Sequence, residues 1–130
     1  MLTNLKHGGL IMEIHHYIQN WKDYKRVIIV SDKGSVFVDL YQYPIYPHCS
    51  SVKSEIWALF VVETFRNKGI AKQLMQYAEN ITKQFGESCI AVVWNNSTPS
   101  WILEWYKRDG YKFVQYLNDT DTLLVKEIND

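Results

Sequence analysis

Glu55-Ile56-Trp57-Ala58-Leu59-Phe60-Val61-Val62-Glu63-Thr64-Phe65-Arg66-Asn67-Lys68-Gly69-Ile70-Ala71-Lys72 is the stretch whose reading decides the fold. Between its two glutamates runs a nearly continuous apolar segment, the pattern of a strand covered on both faces and so placed at the centre of a sheet. Beyond it the period changes. From Ile70 the apolar residues fall at Leu74, Tyr77, Ala78, Ile81 and Phe85, in steps of three and four, while Lys72, Gln73, Gln76, Glu79 and Lys83 face away. That predicts an amphipathic helix beginning at Lys68 and ending near Gly86.

The junction is the informative part. A helix start has unpaired N–H groups and the positive end of the helix dipole. Gly69 and Ala71 leave that backbone bare enough for a pyrophosphate to approach closely, and Arg66, Lys68 and Lys72 add positive charge, which together specify an anion site but not which anion. The plain alternative is a strand-to-helix turn with solvated lysines. The position of the turn, between a central strand and a well-formed helix, favours the anion site.

Upstream, Glu13 to Ile18 reads as a first strand and Gln19 to Lys25 as a short helix or turn. The β-branched run Val27-Ile28-Ile29-Val30 and the alternating Val36, Val38 and Leu40 make a hairpin across Asp32-Lys33-Gly34, where Asp can bond its own backbone. Gln42 to Lys53 is a long loop holding Pro44, Pro47, several tyrosines and His48, and loops of that length often bind something. Downstream, Ser88 to Trp94 reads as a buried strand. A helix follows, capped by Ser97 or Thr98 with Pro99 at its first position, and it stops at Gly110. Tyr111 to Leu117 and Thr122 to Ile128 complete an α/β mixed sheet ordered β–β–loop–β–α–β–α–β–β, with a parallel pair flanking the first helix. Met1 to Ile11 is read as a leader or expression remnant, disordered and without structural weight, before one domain over 12–130.

Arg66 to Ala71, together with Trp105-Tyr106-Lys107-Arg108-Asp109-Gly110-Tyr111 about forty residues later, resembles the GCN5-related N-acetyltransferase (GNAT) superfamily. That family carries Arg/Gln-x-x-Gly-x-Gly/Ala between a central strand and the following helix, then an aromatic-rich helix ending in a tyrosine and a glycine. The resemblance covers roughly Arg26 to Ile128. It implies a GNAT-like acyl-CoA N-acyltransferase fold, here with an abbreviated N-terminal region, and acetyl-CoA as cosubstrate. The pyrophosphate would rest on the backbone of Asn67, Lys68, Gly69, Ile70, Ala71 and Lys72, near Arg66. The pantetheine arm would lie along Leu59 and Val61, and the Leu59 N–H would face the oxyanion. Only about fourteen residues separate Met12 from Arg26, so the acceptor side is expected to be either abbreviated or built differently, with the Gln42 to Lys53 loop as a candidate substitute. Pro99 stands where many members have an asparagine; Asn95 and Asn96 lie just before it.

Transfer from a thioester to an amine needs a neutral nucleophile, a donor to the oxyanion and a proton for the thiolate. Tyr106 matches the family tyrosine that protonates the leaving thiolate. Glu55, eleven residues before Arg66, matches the glutamate that serves as base in histone-acetyltransferase-like members; others use relayed water. Each residue also has a bland reading, Tyr106 as core packing and Glu55 as the solvent end of a strand.

Fourteen basic and fourteen acidic residues cancel, which argues against a nucleic-acid surface. No apolar run approaches the length of a membrane span. Cys49 and Cys89 lack metal-ligand spacing, and no metal is expected. The chain thus reads as a cytoplasmic enzyme, monomer or homodimer, acetylating a primary amine of a small molecule or protein. The alternatives are an acyl-CoA binding or sensing module without catalysis and an interaction domain without a ligand.

Overall fold

The computed structural model describes residues 2–7 and 10–129, with side chains described from Met12 onward. Along the chain it forms β1 (Leu2–His7), β2 (Leu10–Asn20), β3 (Tyr24–Val30), β4 (Gly34–Tyr41) and β5 (Ser54–Val61). A single 3-10 turn (Glu63–Phe65) leads into α1 (Ile70–Gln84), followed by β6 (Cys89–Asn95), α2 (Ser100–Arg108), β7 (Lys112–Tyr116) and β8 (Asp121–Glu127). The strands make one eight-stranded sheet in the order β1-β2-β3-β4-β5-β6-β8-β7. All neighbours are antiparallel except β5 and β6, whose parallel pairing is bridged by α1 as a crossover. Among the described residues no helix is long and apolar enough to cross a membrane.

Strand alternation divides the sheet into two unlike faces. On one, Ile14, Val27, Ile29, Val36, Val38, Ile56, Ile90 and Leu124 meet Ile70, Leu74, Tyr77, Ala78 and Ile81 of α1, with Leu103, Trp105 and Tyr106 of α2 packed beside them. Among the described residues no helix packs on the opposite face. There Val52, Cys89, Ala91 and Leu123 form a smaller cluster closed by the loop residues Ile45, Tyr46 and Cys49. A cross-strand row, Tyr17–Ile28–Phe37–Trp57, runs over the same open face.

Several expectations need correction. Leu2–His7, set aside as disordered leader, pairs antiparallel with β2, while Met1, Gly8 and Gly9 lie outside the described residues. The first strand runs well beyond Glu13–Ile18, and Gln19 to Lys25 holds no helix: β2 turns directly into β3, closed by Trp21 N–H donating to Tyr24 O at 2.9 Å. In the next hairpin Ser31, not Asp32, organises the turn, its Oγ accepting the N–H groups of Lys33 and Gly34 at 3.1 Å each. Neither Ser97 nor Thr98 caps α2; Pro99 is its N-cap, and the Thr98 hydroxyl donates back to Asn95 O.

Gln73 and Glu79, assigned to the solvated side of α1, are buried. For Glu79 the reason is a polar bridge. Tyr111 Oη donates to its Oε2 at 2.8 Å and Lys126 Nζ to its Oε1 at 2.9 Å, with Asp109 3.7 Å from the same ammonium. The bridge ties α1 to the end of α2, where Gly110 (φ +100°) lets Tyr111 N–H reach back to Tyr106 O at 3.1 Å.

Gly34 sits where β4 meets the far end of β5, and a Cβ there would stand 2.4 Å from Phe60 O. Backbone cannot yield as a flexible side chain can. Gly34→Ala should therefore lower unfolding free energy by roughly 1–3 kcal/mol, read as a lower urea midpoint at unchanged m-value.

Candidate active site

Strand β5 does not behave as one regular element. It pairs with β4 from Ser54 to Val61, but the register slips between Ser35 and Phe37, so Ala58 and Leu59 together oppose Val36. Ala58 takes a left-handed φ of +53°, a β-bulge at a residue with a side chain. On its other edge β5 meets β6 at one position, Glu55 opposite Ala91, and beyond it the two strands part. The expected burial on both faces therefore holds only for the first half. Trp57 and Phe60 are about half exposed, at 45% and 52%, and Leu59 and Val61 are half-buried along the parted edge.

The parted strands lead to the junction read as an anion cradle. Phe65 N–H donates to Val62 O and Arg66 N–H to Glu63 O, closing the 3-10 turn. Asn67 (φ +62°) and Gly69 (φ +80°) are both left-handed, and they bracket the exposed Lys68. Gly69, not Lys68, is the N-cap of α1, with no side chain capping it. The helix's first bond runs from Gln73 N–H to Gly69 O, leaving the N–H groups of Ile70, Ala71 and Lys72 ahead of the helical ladder. Arg66 is exposed beside the turn, and its Nε donates to Val61 O at 3.1 Å.

Tyr106 lies on the helical face. It is half-buried against the main core, edge-on to Trp105 (5.5 Å between centroids) and to Tyr111 (5.8 Å), and burial pushes its phenol above the ordinary value. Glu55 projects to the open face. It is 3% exposed and lines a cavity of about 450 Å³ with Tyr41, Ile45, Tyr46, Trp57, Val93, Asn95, Leu117 and Asp121. Burial raises its carboxyl above the usual range, and a hydrogen bond donated by the Tyr46 hydroxyl partly offsets that rise. Glu55 and Tyr106 thus stand on opposite sides of the sheet, and Tyr106 does not line the cavity.

Residues the sequence left unassigned complete the cavity. Asp121 is brought 66 positions along the chain from Glu55 to the same wall, because β8 inserts between β6 and β7. Its carboxyl is held below the usual range by donors from Asn95 (2.7 Å) and Asn118 (3.2 Å). Asn95 is thereby engaged, and Asn96 donates to Asp119 O, so both asparagines tie neighbouring turns together. His48 is exposed and takes no place in the wall. The sequence signal for Tyr46 was present only as tyrosine-richness of a loop. Among the described residues no group of three His, Cys, Asp or Glu side chains is arranged to hold a metal ion.

A family described as an acetyltransferase (GNAT) domain matches residues 23–113, well over half of the chain. No curated protein matches it in sequence. Among solved structures it is similar to a GNAT family acetyltransferase from Elizabethkingia anophelis with acetyl-CoA bound (15% identity, TM-score 0.66, 89% of this chain and 97% of that one). It is also similar to the PaiA N-acetyltransferase from Thermoplasma acidophilum in complex with coenzyme A (19%, 0.61, 81% and 61%). A third is an IAA acetyltransferase from Bacillus cereus (18%, 0.60, 81% and 78%). At such identities the likeness is one of fold.

Glu55 holds its proton more tightly folded than unfolded, so its contribution to stability is complete below its ordinary value of 4.5 and is lost as pH rises through the folded value. Glu55→Gln removes that loss. The stability of the variant relative to the parent should climb between pH 4 and pH 8 in paired denaturation curves; parallel curves would contradict the burial effect.

Proposed function

Because the chain belongs to the GNAT acetyltransferase family, we propose that it carries an acetyl group from acetyl-CoA directly to the primary amine of a small molecule or peptide. The observation that carries this reading is the parting of β5 from β6 immediately before a helix start bared at Gly69. An unpaired strand edge offers backbone groups to an amide-bearing arm such as pantetheine, and free helix N–H groups suit its pyrophosphate. In this reading Leu59 and Val61 hold the arm, and Asn67, Lys68, Gly69, Ile70, Ala71 and Lys72 hold the phosphates. Arg66 braces the strand end from which the turn departs.

The acceptor enters from the open face, through the cavity beside Glu55. An ammonium gives a proton to the Glu55 carboxylate, and the neutral nitrogen attacks the thioester carbon. The oxyanion is met by the N–H of Leu59. As the C–N bond completes, the C–S bond breaks, the thiolate takes the Tyr106 proton, and the phenolate so formed takes the second proton from the nitrogen to leave a neutral amide. A phenol lifted by burial remains protonated at neutral pH, as that role requires. Two carboxylates, three aromatic rings and no basic side chain line the cavity. It therefore favours cationic amines over acceptors that carry a carboxylate.

Acetyl-CoA should raise the melting temperature by mass action, and Gly69→Glu, which places a carboxylate at the phosphate site, should remove saturable binding in calorimetry. Tyr106→Phe should lower kcat roughly a hundredfold with the KM for acetyl-CoA little changed, followed by thiol release. Binding without thiol release against any amine would assign the chain to acyl-CoA sensing; absence of both would end the reading.

A further inference from the structure

A buried carboxylate serves as a base near neutral pH only if something stabilises its charge. Glu55 sits directly across from Asp39, yet Asp39 cannot share a proton with it, because both its oxygens accept from Arg26 at 2.8 and 2.9 Å. The cation is thus committed to the neighbouring acid. The phenol of Tyr41 on β4 stacks on Tyr24 of β3 at 4.9 Å. Asp121 on β8 is occupied by Asn95 and Asn118. What remains for Glu55 is Tyr46, whose hydroxyl donates to Oε1. Among the described residues no donor meets Oε2, and the residue lines the cavity.

Tyr46 is itself held firmly. Its carbonyl accepts Cys49 N–H at 3.0 Å, Val52 N–H donates to Cys49 O at 3.0 Å, and Ile45 N–H donates to Val52 O at 2.9 Å. Val52 is buried in the cluster with Cys89, and Cys89 Sγ donates to Ser51 O at 3.2 Å. This small knot fixes the loop against β6, and the phenol rides on it.

We propose that Tyr46 is the positioning residue of the base: by donating to Glu55 Oε1 it holds the carboxyl in one orientation, leaving Oε2 to take the proton of the incoming amine. The transfer balances as one proton from the ammonium nitrogen to Oε2, with the Tyr46 proton staying on its own oxygen. The orientation part rests on the acetyltransfer reading above; the contact between the two side chains does not.

Carbon-13 NMR of labelled glutamate carboxyls, titrated from pH 3 to pH 9, tests it on the full chain. Tyr46→Phe should move the Glu55 midpoint upward by about one pH unit, whereas Tyr43→Phe, an exposed tyrosine of the same loop, should leave it in place. With turnover, the acid limb of kcat/KM for the amine should shift upward by the same amount while the KM for acetyl-CoA holds. An unshifted Glu55 midpoint in Tyr46→Phe overturns the proposal whatever the activity. A shifted midpoint in a chain that never acetylates an amine keeps the positioning and removes the acetyltransfer reading instead. If Tyr46→Phe does not fold, Glu55→Gln supplies the reciprocal measurement: the Tyr46 ring-carbon resonance should move when its charged acceptor is gone, and an unmoved resonance overturns the proposal.

Discussion

The structure depends on a strand that keeps one partner and abandons the other. β5 holds to β4 along its whole length only because Ala58 absorbs a bulge, and it leaves β6 after a single shared position at Glu55. A strand edge released inside a sheet would ordinarily leave polar backbone groups without partners, which is costly unless something else meets them. Here the strand that leaves its partner runs on through a single 3-10 turn to the helix start at Gly69, so the parted edge and the bare helix end are separated by only a short stretch of chain. The bulge, the gap and the bare helix end are three aspects of one departure from regularity.

That departure also sets which residues can cooperate. Alternation along β5 sends Ile56 into the helical core and Glu55 to the other side, so the acid–base pair inferred from the sequence straddles the sheet rather than sharing a pocket. For a reaction with two substrates this is a workable division, since each can approach from its own face and meet at the gap. The polar bridge of Glu79, Tyr111 and Lys126 serves the helical side. It couples α1, whose start would meet the phosphates in the proposed reading, to the stretch of chain that anchors Tyr106.

Much of this could be read from sequence where periodicity was strong. The β3–β4 hairpin, the apolar stripe of α1 from Ile70 to Ile81 and the Gly110 stop all came from local patterns that packing had no reason to override. The failures share a cause. Glu79 reads as solvated because a helical period cannot foresee Lys126 and Tyr111 arriving from 47 and 32 positions away. The bulge carried no glycine to announce it, since Ala58 takes the left-handed conformation that Gly usually marks. Asp121 joined Glu55 through strand order alone, and strand order is not a local property. Ser97 and Thr98 had the chemistry of caps, but Asn95 engaged both of them first.

The loop from Gln42 to Lys53 leaves and rejoins the sheet at adjacent points, with Tyr41 N–H donating to Lys53 O at 2.7 Å. Its ends are therefore stitched independently of whatever lies between them. Closing a loop twice as long would cost only about 0.6 kcal/mol more, so insertions at its exposed turn, Pro47 and His48, are tolerable to the scaffold, whereas Tyr46, Cys49 and Val52 are held in place. In the proposed reading that exposed turn can vary without moving Tyr46 at the acceptor cavity or the helix start at Gly69 that would hold the cosubstrate.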